Sequence, residues 1–123
     1  MNNLLIIRGL PGSGKSTFAR QIVKGLDYIH FESDMYFTNT KGEYVFDAEK
    51  LAIAHDWCFG EVQYFLQYRG VIVSNTFSRK WEMQRYLDLP NPKQIIECQG
   101  QFGNIHNVPE DAILRMISRW ERI

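Results

Sequence analysis

One segment limits the fold more than any other: Gly9-Leu10-Pro11-Gly12-Ser13-Gly14-Lys15-Ser16-Thr17 satisfies the pattern G-x-x-x-x-G-K-[ST] at every position. The pattern works only where a strand enters it and a helix leaves it. Both flanks comply. Leu4 to Ile7 is a short apolar run closed by Arg8 and Gly9, suited to a central strand buried on both faces. Ser16 to Lys24 follows, with Phe18, Ala19, Ile22 and Val23 at helical spacing and Gly25 placed as a C-terminal cap.

The chemistry follows from the residue types. Gly12 and Gly14 permit open backbone conformations, so that consecutive N–H groups point at phosphate oxygens. The new helix adds its positive end to the same place. Lys15 brings a cation to the β- and γ-phosphates, and the Ser16 hydroxyl is a hard ligand for Mg²⁺. Gly12, Ser13, Gly14, Lys15, Ser16 and Thr17 are therefore the expected ATP-binding residues, with Mg²⁺ as the companion ion.

Beyond this loop, strands and helices alternate. Tyr28 to Phe31 reads as a second strand ending near Glu32-Ser33-Asp34, and residues 35 to 46 read as a loop. Asp47 caps a long helix running to about Tyr68, with Leu51, Ala54, Cys58, Val62 and Phe65 along one apolar face. Val71 to Val73 is a third buried strand, followed by Ser74-Asn75-Thr76. A short helix from about Lys80 to Leu87 stops at Pro90-Asn91-Pro92, and Ile95-Ile96 mark a fourth strand. After a Gly/Asn/Gln-rich loop, Pro109 opens a last helix. Its expected inner face is Ile113, Met116, Ile117 and Trp120, and its outer face Arg115, Arg119 and Arg122.

This alternation, together with the phosphate-loop motif, predicts an α/β fold of P-loop NTPase type. Its mostly parallel sheet has about four strands flanked by helices, with the P-loop strand central beside the Val71 strand. At 123 residues the chain reads as a single domain, 1–123. Ligands then belong at the carboxyl ends of the strands.

Composition removes several classes. Lys plus Arg and Asp plus Glu are both 14, so no broad basic coat exists to grip duplex DNA. Eight Phe, six Tyr and three Trp argue against disorder. Cys58 and Cys98 show no metal-ligand spacing and read as reduced thiols of a cytoplasmic protein. No apolar run reaches a membrane span, and the N-terminus lacks the basic n-region of a signal peptide.

The reaction class narrows further. No guanine-reading Asn-Lys-x-Asp segment is present, and a motor ATPase needs a longer chain. A small phosphoryl-transfer enzyme or a bare nucleotide binder remains. Asp34, just past the second strand, is placed to accept the proton of an attacking hydroxyl.

With these residues in view, the chain resembles the P-loop polynucleotide 5′-kinases of the phage type. It also resembles the related kinase domains of ubiquitin-ligase-binding proteins of animals. The resemblance runs from Leu5 to Glu121 and rests on several further blocks. These are Ser33-Asp34-Met35-Tyr36-Phe37, Ala54-His55-Asp56-Trp57, and Asn75-Thr76 followed by Trp81-Glu82-Met83 and Tyr86. Asn104 to Glu110, with Arg115-Met116 and Arg119-Trp120-Glu121, forms the last block.

The resemblance implies ATP-dependent phosphorylation of a 5′-hydroxyl, with Asp34 as general base and Lys15 and Ser16 on the γ-phosphate and magnesium. Asp34 is also an expected metal contact. The fold the resemblance implies is the kinase type of P-loop NTPase. Asp34, Asn75, Thr76 and Arg79 are expected at the acceptor, while Arg115 and Arg119, or Arg79, are expected to neutralise the transferring group.

The chain departs from that family in places. Ser74-Asn75 stand where relatives carry an aspartate at one of the two positions, so anionic help for Mg²⁺ is expected from Asp34 or the phosphates alone. Phe37 replaces an acceptor-binding arginine, and the loop Gln99 to Val108 holds no Arg or Lys. A small-molecule kinase and a catalytically silent ATP-binding module are the alternatives these departures favour. His55 reads as a hydrogen-bonded helix or loop residue or an acceptor-orienting group, and His106 as a working lid residue or one that only stabilises the turn. Tyr36, Phe37, Tyr44 and Phe46 read as packing or as a stacking platform.

Overall fold

The computed structural model describes residues 1–98, 117 and 119–121. It is an α/β fold. The strands are β1 (Leu4–Arg8), β2 (Tyr28–Phe31), β3 (Gly70–Asn75) and β4 (Lys93–Glu97). The helices are α1 (Lys15–Gly25), α2 (Leu51–Leu66) and α3 (Lys80–Leu87). The four strands form one sheet in the order β2-β3-β1-β4, every pair parallel. As expected, β1 is central beside β3, with Leu5 opposite both Ile72 and Gln94.

Strand alternation sorts the core into two layers. Leu4, Ile6, Val71 and Val73 face one way and meet Cys58, Val62, Leu66, Met83 and Tyr86 of α2 and α3. Ile7 and Ile72 face the other way and meet Ala19, Phe18 and Ile22 of α1. The chain passes from β3 through α3 to the far side of β1, so the strand order turns at β1 and the crevice opens at its carboxyl end.

Local details differ from expectation for identifiable reasons. Gly25 is the last helical residue, and the cap is Leu26, whose N–H donates to the Ile22 carbonyl at 2.9 Å. The Asp47 carboxylate accepts from Glu49 N, but it opens a 3-10 turn, Ala48–Lys50, which precedes α2. The fully buried line of α2 is Ala54, Cys58, Val62 and Leu66, a constant spacing of four, while Leu51 is exposed. That line is a single i±4 ridge, so α2 rests on the sheet along the ridge, and Phe65 is left at its flank.

Residues 35 to 46 are not simple loop. Ser33–Phe37 is a 3-10 turn, and Thr38 and Tyr44 form an antiparallel bridge. Asn39 Oδ1 closes that bridge by accepting from Lys41 N and Glu43 N.

Arg8, expected to end the first strand, is its last residue and is completely buried. Its guanidinium donates to the Phe77 carbonyl from Nε at 3.0 Å and Nη2 at 2.7 Å, to the Ser78 carbonyl at 3.2 Å, and to Glu97 Oε1 at 3.1 Å. It also stacks 3.8 Å from the centre of the Trp120 ring. Phe77 sits in the left-handed region at φ 49°, which a residue with a side chain adopts only when its surroundings enforce it. The buried Phe77 ring, 5.7 Å from Tyr86, and the two bonds from Arg8 supply that enforcement.

The remainder of the C-terminal expectations fall partly outside the described residues, among them Arg115, Met116, His106 and Ile113. Of those described, Trp120 is half-buried over Arg8 and Glu121 N donates to the Ser78 carbonyl at 2.7 Å. Ile117, expected on the inner face, is 51% exposed. The segment is anchored through polar contacts to Arg8 and Ser78, and these do not require Ile117 to be inside.

Replacing Arg8 by methionine keeps the bulk and removes four donated bonds. We expect a loss of about 3–5 kcal/mol of folding stability, because the Phe77 and Ser78 carbonyls are left without that donor. Urea denaturation of the two proteins measures it.

Candidate functional site

The site forms where β1, β2 and β3 end. Gly12 and Gly14 both have positive φ, 81° and 90°, and Gly14 is the N-cap of α1. The first turn of α1 therefore presents amides that the helix does not use. Gly9 leaves no room for a side chain: an added Cβ would stand 2.2 Å from Ser13 Oγ and 3.0 Å from the Cys98 carbonyl. Ser13 Oγ is buried and has no hydrogen-bond partner among the described residues.

Lys15 Nζ lies 3.5 Å from the Leu10 carbonyl. Burial draws its pKa below the usual lysine range, and the nearby carboxylates of Glu32 and Asp34 pull it back up. The structure thus gathers Lys15, Ser16 and Asp34, as the sequence led us to expect, and adds Glu32. Asp34 Oδ1 accepts from the Tyr44 hydroxyl at 3.2 Å. Burial, and then Asp34, push the Tyr44 hydroxyl up to about 12.

Glu32 is the site residue that sequence reasoning missed. Its Oε2 accepts from Ser16 Oγ at 2.5 Å and from Ser74 Oγ at 2.8 Å. His30 Nε2 lies 2.5 Å from the same Ser74 hydroxyl. A carboxylate closing the second strand at the sheet's carboxyl edge was the available signal. Anionic charge beside Ser16 thus has a third source besides Asp34 and the phosphates, contrary to the expectation from neutral Ser74-Asn75.

The residues expected at the acceptor are distributed more widely. Asn75 is buried and braces the Asp34 turn: its Oδ1 accepts from Ser33 N at 2.8 Å. Ser33 Oγ is 2.8 Å from His55 Nδ1, so His55 is a hydrogen-bonded residue of α2 that holds the same turn. The Thr76 carbonyl accepts from Gly9 N at 3.3 Å. Arg79 pairs with Glu121 at 3.7 Å, and Arg119 Nε donates to Ser78 Oγ at 3.2 Å. Among the described residues these two arginines contact the C-terminal segment and the loop after β3, not the phosphate loop. Arg115 lies outside the described residues.

Phe37 is buried in an aromatic group with Tyr36, Tyr44 and Phe46, so packing accounts for it. Beyond Asn75 a cleft of about 330 Å³ opens between α2 and α3, lined by His55, Asp56, Trp81, Glu82 and Arg85 among others. Trp81 is 74% exposed there, and Arg85 pairs with Asp56 at 3.0 Å.

The donors suit a hard cation. Ser16, Glu32 and Asp34 offer oxygen only, as Mg²⁺ prefers. No group of three or more His, Cys, Asp or Glu among the described residues could hold a metal, so phosphate oxygens would have to complete its shell. No helix among the described residues is long and apolar enough to cross a membrane.

His55 gives a pH test. Burial holds its imidazole below the ordinary histidine value, and Arg85 adds to this, while Glu82, Asp34 and Asp56 oppose it. The unfolded chain takes up that proton near pH 6.5. The contribution is therefore whole above about pH 6.5 and is lost as pH falls through the depressed folded value. His30, also held low by burial, acts in the same direction. Denaturation midpoints should be level above pH 6.5 and decline below it, with His55→Gln removing part of the decline.

Known proteins are similar to this chain in sequence or in fold. NEDD4-binding protein 2 of Homo sapiens is 29% identical over 140 residues, which cover 97% of this chain but only 8% of that protein. A chain of the Pnkp1/Rnl/Hen1 RNA repair complex superposes with a TM-score of 0.66 at 20% identity, covering 99% of this chain and 40% of that one. A gluconokinase from Sinorhizobium meliloti 1021 superposes with a TM-score of 0.64 at 14% identity, covering 98% and 75%. At such identities the two structures establish the fold. The family model described as AAA domain matches residues 4–99. The strand order, the phosphate loop and this match agree: the chain belongs to the AAA domain family and is a P-loop kinase-like domain.

Proposed function

We propose that the chain transfers the γ-phosphoryl group of ATP to the 5′-hydroxyl of a polynucleotide. The observation that carries this reading is the meeting of Lys15, Ser16 and Asp34 at the ends of β1 and β2, beside an open cleft that an acceptor can enter. The amides of the Gly12–Ser16 loop and Lys15 bind and orient the triphosphate. The acceptor oxygen attacks the γ-phosphorus, its proton passes to a carboxylate oxygen of Asp34, and the bond from phosphorus to the β–γ bridging oxygen breaks to release ADP. Ser16, with the carboxylates beside it, would hold Mg²⁺, which supplies charge neutralisation on the β- and γ-phosphates. Tyr44, donating to Asp34 Oδ1, helps hold that carboxylate in place.

The polynucleotide acceptor is supported by the likeness in fold to the RNA repair complex and by the exposed Trp81 at the cleft, a surface on which a base can stack. A small hydroxyl-bearing acceptor is the second reading. Asp56 and Glu82 line the same cleft and disfavour an entering polyanion, and the gluconokinase shares the fold. On either reading 1–123 acts as one kinase domain, and neither transfers the activity of the much longer human relative, of which this chain spans 8%.

Transfer of labelled γ-phosphate from MgATP to 5′-hydroxyl oligonucleotides, DNA and RNA, tests the reading. Asp34→Ala should lower the rate by about 100-fold or more with ATP still bound. Lys15→Ala should abolish transfer. Full activity in Asp34→Ala removes the base; ATP turnover only on small alcohols or sugars selects the second reading.

A further inference from the structure

Glu32 makes contacts that a merely structural acid does not need. It lies on the phosphate-loop serine itself, with one oxygen shared between Ser16 Oγ and Ser74 Oγ. A serine hydroxyl has one proton and two lone pairs. If Ser16 gives a lone pair to a cation, its proton still needs an acceptor, and the cation makes that proton more acidic. Glu32 Oε2, at 2.5 Å, is that acceptor already in place.

The proton count fixes the rest of the chain of bonds. Ser74 has one proton and donates it to Glu32, so its contact with His30 must be one in which His30 Nε2–H donates. The order is His30 to Ser74 to Glu32, met from the other side by Ser16. Every member is half-buried or buried. The carboxylate is thus aimed by donors from the end of β3 and the start of α1, with Oε1 left to engage an ion or its water.

We propose that Glu32, aimed by Ser74 and His30, is the acid that holds the nucleotide's magnesium ion beside Ser16. The neutral end of β3 is then no defect: Ser74 supports a carboxylate that arrives from β2. This rests on the nucleotide-binding part of the function proposed above, not on transfer. Asp34, hydrogen-bonded to Tyr44, keeps the role of base.

The test compares binding of a fluorescent, non-hydrolysable ATP analogue by the full chain in magnesium and in chelator. Magnesium should tighten binding to the unaltered chain, and Glu32→Gln should reduce that gain about tenfold or more. In chelator the same variant should bind as tightly or more tightly, because a negative charge facing the triphosphate has been removed. A folding defect weakens both measurements, so opposite changes exclude it.

The double variant Glu32→Ser, Ser74→Asp moves the carboxylate across a 2.8 Å contact and should restore most of the gain. It also decides the matter alone if circular dichroism shows Glu32→Gln unfolded. An undiminished gain in Glu32→Gln, a double variant that folds and shows no gain, or no magnesium effect in the unaltered chain overturns the proposal. Because binding is read and not turnover, the two proposals fail separately. A magnesium gain lost in Glu32→Gln without phosphate transfer defeats only the transfer reading. Transfer with an undiminished gain in Glu32→Gln defeats only this one.

Discussion

The buried guanidinium of Arg8 is the interaction on which the remaining architecture depends. It ends the central strand, and from there it reaches the loop after β3, the last residue of β4 and the C-terminal segment. A buried cation is costly unless its donors are used, and here they are given to two carbonyls and a carboxylate. The left-handed backbone at Phe77 follows from this, since it turns the carbonyl toward the guanidinium. The phosphate loop leaves the residue next to Arg8, so its take-off is set by the same fixed point. Cys98 N, donating to the Arg8 carbonyl at 2.8 Å, continues the tie into the chain beyond β4.

On that frame the site is assembled by polar contacts between strand ends and not by further burial of apolar surface. Asn75 at the end of β3 and His55 on α2 hold Ser33 from two directions, which places the Asp34 turn without using Asp34 itself. Asn75 thereby has a positional task, whatever else it meets in the cleft. The aromatic residues after Asp34 pack against one another and against Trp57, and this turns a segment without apolar periodicity into a defined bridge and 3-10 turn. The carboxylates lie near Lys15, and Asn75 and His55, which hold the Asp34 turn, also line the cleft.

Much of this was legible in the sequence where the governing interactions are local. The phosphate loop and the strands at Leu4, Tyr28 and Val71 declare themselves through backbone requirements and continuous apolar runs. The parts that were not legible involve partners distant along the chain. Arg8 reads as a polar stop after an apolar run, because the carbonyls that accept from it are 69 and 70 residues away. Glu32 reads as an ordinary polar residue after a strand, since its partners Ser16 and Ser74 are 16 and 42 residues distant. The α2 face held at Ala54, Cys58 and Val62 and differed at its ends, with Leu51 exposed and Leu66 deeper than Phe65, because periodicity names a stripe while the packing ridge chooses which line of it is deepest. Ile117 failed for a related reason: hydropathy marks it as inner, and polar anchoring of its neighbours leaves it outside.

The placement of both acids just after one strand has its own consequence. Glu32 and Asp34 both follow β2, which among the described residues pairs with β3 alone. Because side chains alternate, a slip of one residue in that single ladder would carry Glu32 to the opposite face and shift Asp34 with it. The two carboxylates are therefore mechanically ganged: whatever preserves or perturbs the β2–β3 register acts on both at once. An α/β site with its acids on separate strands could lose one and keep the other, whereas this one holds or fails as a pair.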